Sequence, residues 1–256
     1  MKILDSFFIT LSMFSRFPVP QREWKAEHQR LSLALLPAIG PLLGLVLLPW
    51  SWLCQKLALS PFLRGTGLAL LPLLAVGGVH LDGFCDTVDA LSSHAAPEKK
   101  RAILKDPHIG AFAGLYGAGY LILLSALCSE LPAGPLSALI LGLLFTLSRA
   151  LGAFLVLLLP RAGETGLGAT FQKAAENHVS LGILACFCAF SLAFLVALAP
   201  LPGLGAALSG LLSFFYTKGI AQKEFSGMSG DLAGFSISLA ELLMLLAYIL
   251  LSKAVA

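Results

Sequence analysis

Seven stretches of this chain, at roughly 32–54, 62–81, 110–129, 136–160, 180–200, 203–221 and 232–252, are apolar and long enough to cross a lipid bilayer, which takes about 20 residues of helix. Inside hydrocarbon every backbone amide must find its partner within the protein, so such stretches form helices. The expectation is an all-α, polytopic membrane bundle of about seven spans, built as a single domain over residues 1–256. Charged residues are only 12% of the chain and the mean hydropathy is +0.87. That is about half the charge of a water-soluble domain. Most span boundaries carry Pro, Gly or a charge. The stretch 136–160 differs, because Arg149 lies near its middle and Gly152 follows; it reads as one span, with a broken helix or two shorter pieces as the alternative.

The first twenty residues, "MKILDSFFITLSMFSRFPVP", hold Asp5 and Arg16 within their apolar run and end at Pro18 and Pro20 without a small-residue cleavage site. They predict an amphipathic segment that lies at the membrane interface or dips in and out of it, rather than a removed signal. Cysteines 54, 85, 128, 186 and 188 follow no metal-finger or disulfide spacing. A formal charge of +3 is too small to point to nucleic acid.

Sorting the polar segments by side gives the topology. Residues 1–31, 82–109, 161–179 and 217–231 carry thirteen Lys and Arg, against two, Lys56 and Lys253, on the opposite side. The positive-inside rule puts the first group in the cytoplasm. Every motif-like segment lies on that face: "SRFPVP" (15–20), "HLDGFCDTVDAL" (80–91), "KDPHIGAFAG" (105–114), "RAGETGLGATF" (161–171) and "KEFSGMSGDLAG" (223–234). A transporter needs polar groups near the midplane and access from both sides. One-sided clustering favours an enzyme working on a cytoplasmic substrate.

The chemistry concentrates at Asp82, Asp86 and Asp89, half of the six aspartates of the chain. Their i, i+4, i+7 spacing stacks three carboxylates on one helix face, where like charges repel. A cation between them removes the repulsion, and Mg²⁺ prefers one or two carboxylates together with substrate phosphates. Gly83 leaves room for close approach. His80 is a candidate general base or supporting residue at the membrane edge. In "KDPHIGAFAG", Lys105 is a candidate phosphate contact. Pro107 disfavours helix at Asp106, so a turn bearing His108 leads through Gly110 into the next span. "GMSGDLAG" holds Asp231, either a plain N-cap or a fourth metal-site carboxylate, with Gly230 at a helix N-terminus suited to an anion. Arg149 and Glu241 are ionisable residues deep in spans, functional by default or paired with each other. Arg16 either binds phosphate or snorkels.

Taken together and in this order, "FFITLSMFSRFPVP", "GGVHLDGFCDTVDAL", "ILKDPHIGAFAG", "LSRALGAF" and "GMSGDLAG" followed by "LAELL" resemble the cobalamin synthase family, the adenosylcobinamide-GDP ribazoletransferases. The resemblance runs from about residue 7 to 245, and His80–Gly110 is its most specific part. Phe84-Cys85 and Lys223-Glu224 are departures that touch no carboxylate. The resemblance implies an integral membrane enzyme; with the charge asymmetry, the expectation is a multi-pass protein of the cell inner membrane with its active site on the cytoplasmic face. It implies Mg²⁺ as cofactor, and adenosylcobinamide-GDP with α-ribazole or its 5′-phosphate as substrates. A ribose hydroxyl would attack the cobinamide-side phosphorus and GMP would leave. Asp82, Asp86, Asp89 and Asp231 would hold the metal. His80, Lys105 and Arg149 would act in catalysis, beside Gly83, His108, Gly110 and Gly230 in the binding site. Other readings are a CDP-alcohol phosphotransferase or prenyltransferase, whose Ala-Arg and Asn signatures "DGFCDTVDA" lacks, and a cation-coupled transporter.

Overall fold

The computed structural model describes residues 2–163, 167–175 and 177–255. Glu164, Thr165 and Gly166, within the segment "RAGETGLGATF", lie outside the described residues. The chain runs as α1 (Lys2–Phe14), short helices α2 (Ala26–Gln29) and α3 (Ser32–Leu35), a 3₁₀ turn (Leu36–Ala38), α4 (Ile39–Lys56), α5 (Pro61–Val76), α6 (Val79–Ser92) and α7 (Pro97–Ile103). There follow α8 (Ala111–Ser129), α9 (Pro135–Leu158), α10 (Leu167–Ala174), α11 (Asn177–Leu198), α12 (Pro200–Glu224) and α13 (Gly230–Ala254). No sheet forms among the described residues; one isolated bridge joins Arg161 to Met228. Among the described residues six stretches are long and apolar enough to span a bilayer, and α5 with α6 makes a seventh if that bent pair counts as one.

α9 is the axis of the bundle. Nineteen of its residues are buried, which suits a helix that is apolar all round. The span expected at 136–160 forms as one unbroken helix of 24 residues, and the alternative of a break at Arg149 does not arise. α4 packs on it where glycines let two backbones close up. A β-carbon on Gly44 would lie 3.3 Å from Gly142 Cα, and one on Gly40 would overlap Thr146 Oγ1. Close approach at small residues replaces the hydrophobic drive that lipid does not supply. The outer faces of α8, α11 and α12 instead show Leu115, Ile122, Phe190, Phe194, Leu212 and Phe215 at the surface, as lipid contact demands.

The second difference from expectation lies at 62–81, which is not one straight span. α5 ends at Gly77 and Gly78, both left-handed (φ 71° and 79°), with Gly78 N–H donating to Leu73 O at 3.1 Å. Consecutive glycines accept this conformation without a side-chain clash. α6 then leaves at 95° to α5. The acidic segment is therefore a packed helix, as its i, i+4, i+7 spacing predicts.

The two ends of the bundle are tied separately. At one end Lys253 pairs with Glu130 at 2.9 Å, and Arg64 donates to Ser129 O (2.7 Å) and Leu131 O (2.8 Å). At the other, Met228 N–H donates to Pro160 O at 2.8 Å, Arg101 to Ser226 Oγ at 2.7 Å, and Lys100 pairs with Glu224. Arg16 N–H donates to Ala75 O at 2.7 Å there as well. The motif segments gather at this second end, as the charge distribution predicts.

Candidate active site

α6 carries the acidic face outward and an apolar face inward. Phe84, Thr87, Val88 and Ala90 are buried, with the Phe84 ring 5.2 Å from Tyr120 and 5.7 Å from Phe235. This packing anchors α6 against α8 and α13 and leaves Asp82 exposed and Asp86 and Asp89 half-buried. The expected one-sided carboxylate row is present.

Glycines bring the fourth carboxylate alongside. A β-carbon on Gly83 would lie 2.6 Å from Asp231 O and 2.9 Å from Asp231 Cα; one on Gly234 would lie 2.9 Å from His80 O. α6 and the first turn of α13 thus cross backbone to backbone. Asp86 lies within electrostatic reach of Asp82, Asp231 and Asp89. Asp231 is not the N-cap of α13: Ser229 is, accepting Leu232 N–H at 3.2 Å. The capping alternative for Asp231 is thereby replaced, and its carboxylate joins the acidic group. Gly230 begins α13 with open space where a side chain would be.

Asp89 has a more specific setting. Its carboxylate overlies Gly110, where a β-carbon would overlap Oδ1, and it accepts Ala113 N–H at 3.4 Å. It therefore sits on the N-terminus of α8, a favourable place for negative charge.

Asp82 and Asp86 open into a cleft of about 640 Å³, within the usual range of ligand sites. Its walls are the α5–α6 bend (Leu73, Leu74, Gly77, Gly78, Val79, Leu81), Cys85, Arg16, and the lip Asp106–Ile109. At the lip, Asp106 Oδ1 accepts His108 N–H at 3.0 Å and lies 2.7 Å from His108 Nδ1. These bonds hold the Asp106 carboxyl below the usual carboxylate range. Cys85 faces the same cleft; its i+3 spacing from Asp82 was the signal for it. Lys105 is exposed and does not line the cleft.

His80 and Arg149 are elsewhere. His80, expected at the membrane edge, is 6% exposed, because it faces inward beside Phe14 and α9. Arg149 Nη1 donates to Glu241 Oε1 at 2.7 Å, and its Nη2 donates to His80 Nδ1 at 3.5 Å. Ser148 Oγ (3.2 Å) and Tyr120 OH (3.5 Å) also donate to Glu241. Neither His80 nor Arg149 lines the acidic cleft. A buried cation in lipid needs a counter-ion, and Glu241 is it.

Among the described residues no three His, Cys, Asp or Glu side chains converge into a ready metal cage. The donor set still fits Mg²⁺, which is typically held by one or two carboxylates plus substrate phosphate. Asp82 and Asp86 offer such a pair at a cleft wall, and Asp89 and Asp231 add negative charge behind it.

Residues 6–249 match the cobalamin-5-phosphate synthase family. Adenosylcobinamide-GDP ribazoletransferase of Lachnoclostridium phytofermentans is 34% identical over 250 residues, covering 98% of this chain and 95% of the relative. The proteins of the same name from Desulfitobacterium hafniense and Klebsiella pneumoniae subsp. pneumoniae are each 32% identical, over 257 and 251 residues. They cover 96% of this chain each, and 97% and 99% of the relatives. No solved structure matches.

Proposed function

Because this chain belongs to the cobalamin-5-phosphate synthase family, we propose that it transfers the cobinamide-phosphate group of adenosylcobinamide-GDP to α-ribazole or α-ribazole 5′-phosphate, releasing GMP, with Mg²⁺ as cofactor. The work takes place at the cytoplasmic face of the cell inner membrane. The observation that carries this reading is the acidic face of α6 opening into a cleft that also holds an arginine. A pyrophosphate with a divalent cation is the ligand that such a wall suits.

Asp82 and Asp86 would hold the metal, with Asp231 and Asp89 adding to the field. When bound, the metal neutralises pyrophosphate charge and stabilises the departing phosphate. The ribose hydroxyl of the acceptor attacks the cobinamide-side phosphorus. A phosphodiester to the ribose forms, the P–O–P bond breaks, and GMP leaves as its phosphate monoester. Of the bases that the sequence offers, His80 is buried away from the cleft, so a cleft carboxylate takes the hydroxyl proton. Catalysis is then mostly positioning and charge stabilisation, and no protein nucleophile is needed. The cleft accommodates the pyrophosphate and its immediate substituents, while the larger corrin ring stays outside over the apolar rim of Leu74, Val79 and Ile109, all exposed.

The test is GMP release by purified protein in detergent or liposomes, given adenosylcobinamide-GDP, α-ribazole 5′-phosphate and Mg²⁺. Release should need both substrates, stop with chelator, and be lost in folded Asp82→Asn protein. No release from well-folded protein under any divalent metal would sink the reading.

A further inference from the structure

We propose that Arg16 is the side chain that binds the pyrophosphate of the donor substrate, a deepening that rests on the transferase reading of the cleft. The sequence left Arg16 between phosphate binding and snorkelling. Its setting decides. Pro18 and Pro20 keep the chain after it out of helix, and its N–H donates to Ala75 O at 2.7 Å. These contacts fix its backbone at the end of α5. Its stem lies over Gly77, where a β-carbon would fall 3.0 Å from Arg16 Nε and 3.4 Å from Cγ. Gly77 thus serves twice, once for its left-handed backbone and once for the groove that it leaves for Arg16.

From this groove Arg16 lines the same cleft as Asp82 and Asp86, yet no carboxylate pairs with it among the described residues. Other arginines are engaged: Arg22 with Asp5 at 3.3 Å, Arg101 with Glu98 and Ser226, Arg149 with Glu241. A guanidinium and two carboxylates that share a cleft without pairing form a site with two signs of charge. Its complement is a ligand carrying both, an anion for the arginine and a cation for the aspartates. Pyrophosphate with its metal is such a ligand. The planar fork of Arg suits two phosphoryl oxygens at once. The other two cations proposed from sequence do not reach this cleft, since Lys105 is outside its lining and Arg149 is paired within the bundle.

The experiment compares wild type, Arg16→Gln and Arg16→Lys by steady-state GMP release, varying donor and acceptor separately. Unphosphorylated α-ribazole and its 5′-phosphate are both used as acceptors. Thermal unfolding in detergent and the inhibition constant of inorganic pyrophosphate are read alongside. Loss of charge-assisted bonds to phosphate predicts a roughly ten- to hundredfold rise in donor KM for Arg16→Gln. The pyrophosphate inhibition constant should rise in parallel, while the melting temperature and acceptor KM stay put. Arg16→Lys should recover part of the loss as a point charge. An unchanged donor KM in active, folded Arg16→Gln protein overturns the inference alone. So does a KM change confined to the phosphorylated acceptor. Wild-type protein that releases no GMP overturns the transferase reading and this inference with it.

Discussion

Gly83 on α6 touches the backbone of Asp231 on α13 so closely that a β-carbon there would lie 2.6 Å from the Asp231 carbonyl. This crossing joins the acidic row to a carboxylate nearly 150 positions later in the chain. The atoms that it would strike are backbone, so they cannot swing aside. Gly83→Ala should push α6 off α13, at about 1–3 kcal/mol by analogy with overpacked cores. Expected outcomes are a melting temperature lowered by several degrees and GMP release reduced at least tenfold, read by thermal unfolding and steady-state assay. A normal rate would mean that the crossing does not set the site.

Gly110→Ala makes a contrasting case. The new methyl would overlap the carboxylate end of the Asp89 side chain, and a side chain can rotate away. Stability should change little, while Asp89 leaves its place at the start of α8. The expected signature is a severalfold higher Mg²⁺ concentration for half-maximal activity, with unchanged thermal unfolding. A Mg²⁺ titration with and without chelator reads it directly.

The Arg149–Glu241 pair has 2% and 11% side-chain exposure. Removing one partner leaves the other charge buried alone, a loss of about 3–5 kcal/mol in buried pairs. Arg149→Met and Glu241→Leu should each destabilise strongly, and the double variant should recover much of the loss. A double-mutant cycle of unfolding in detergent measures the coupling. Because the pair lies off the cleft, whatever activity survives should respond to Mg²⁺ as the wild type does, with or without a requirement for it. A shifted dependence would put Arg149 back among the groups that meet substrate.

Sidedness is open to a direct check. Single cysteines at Ser93 and Lys105, in an otherwise cysteine-free protein, should react with an impermeant maleimide only from the cytoplasmic side. Cysteines at Glu130 and Lys253, paired with each other at 2.9 Å, should react only from outside. Labelling of both pairs from the same side would break the topology, and a swap of the two sides would invert it.

What could be read from the chain alone follows from local physics. Apolar length sets the spans, the Lys and Arg excess gathers the polar segments at one end of the bundle, and the i, i+4, i+7 spacing sets the carboxylate face of α6. Each depends on residues near one another in sequence and on the bilayer. The candidate site was legible in its acids for the same reason, since three of the four share one helix.

Tertiary packing decided the rest. Two consecutive glycines, 77 and 78, can as well lie in a span as end it; only the contacts of α6 with α8 and α13 make them a 95° bend. Arg149 looks like a break in a helix or a catalytic cation until Glu241, 92 residues away, neutralises it. His80 turned inward because Phe14 and Arg149 meet it there. Arg16 came to the cleft through Ala75 and Gly77, partners that no local pattern reveals. A charge declares that it must be satisfied, but its sequence neighbours do not say by what. That answer depends on which distant backbones can approach, and here glycines at 83, 110 and 234 made the approach possible.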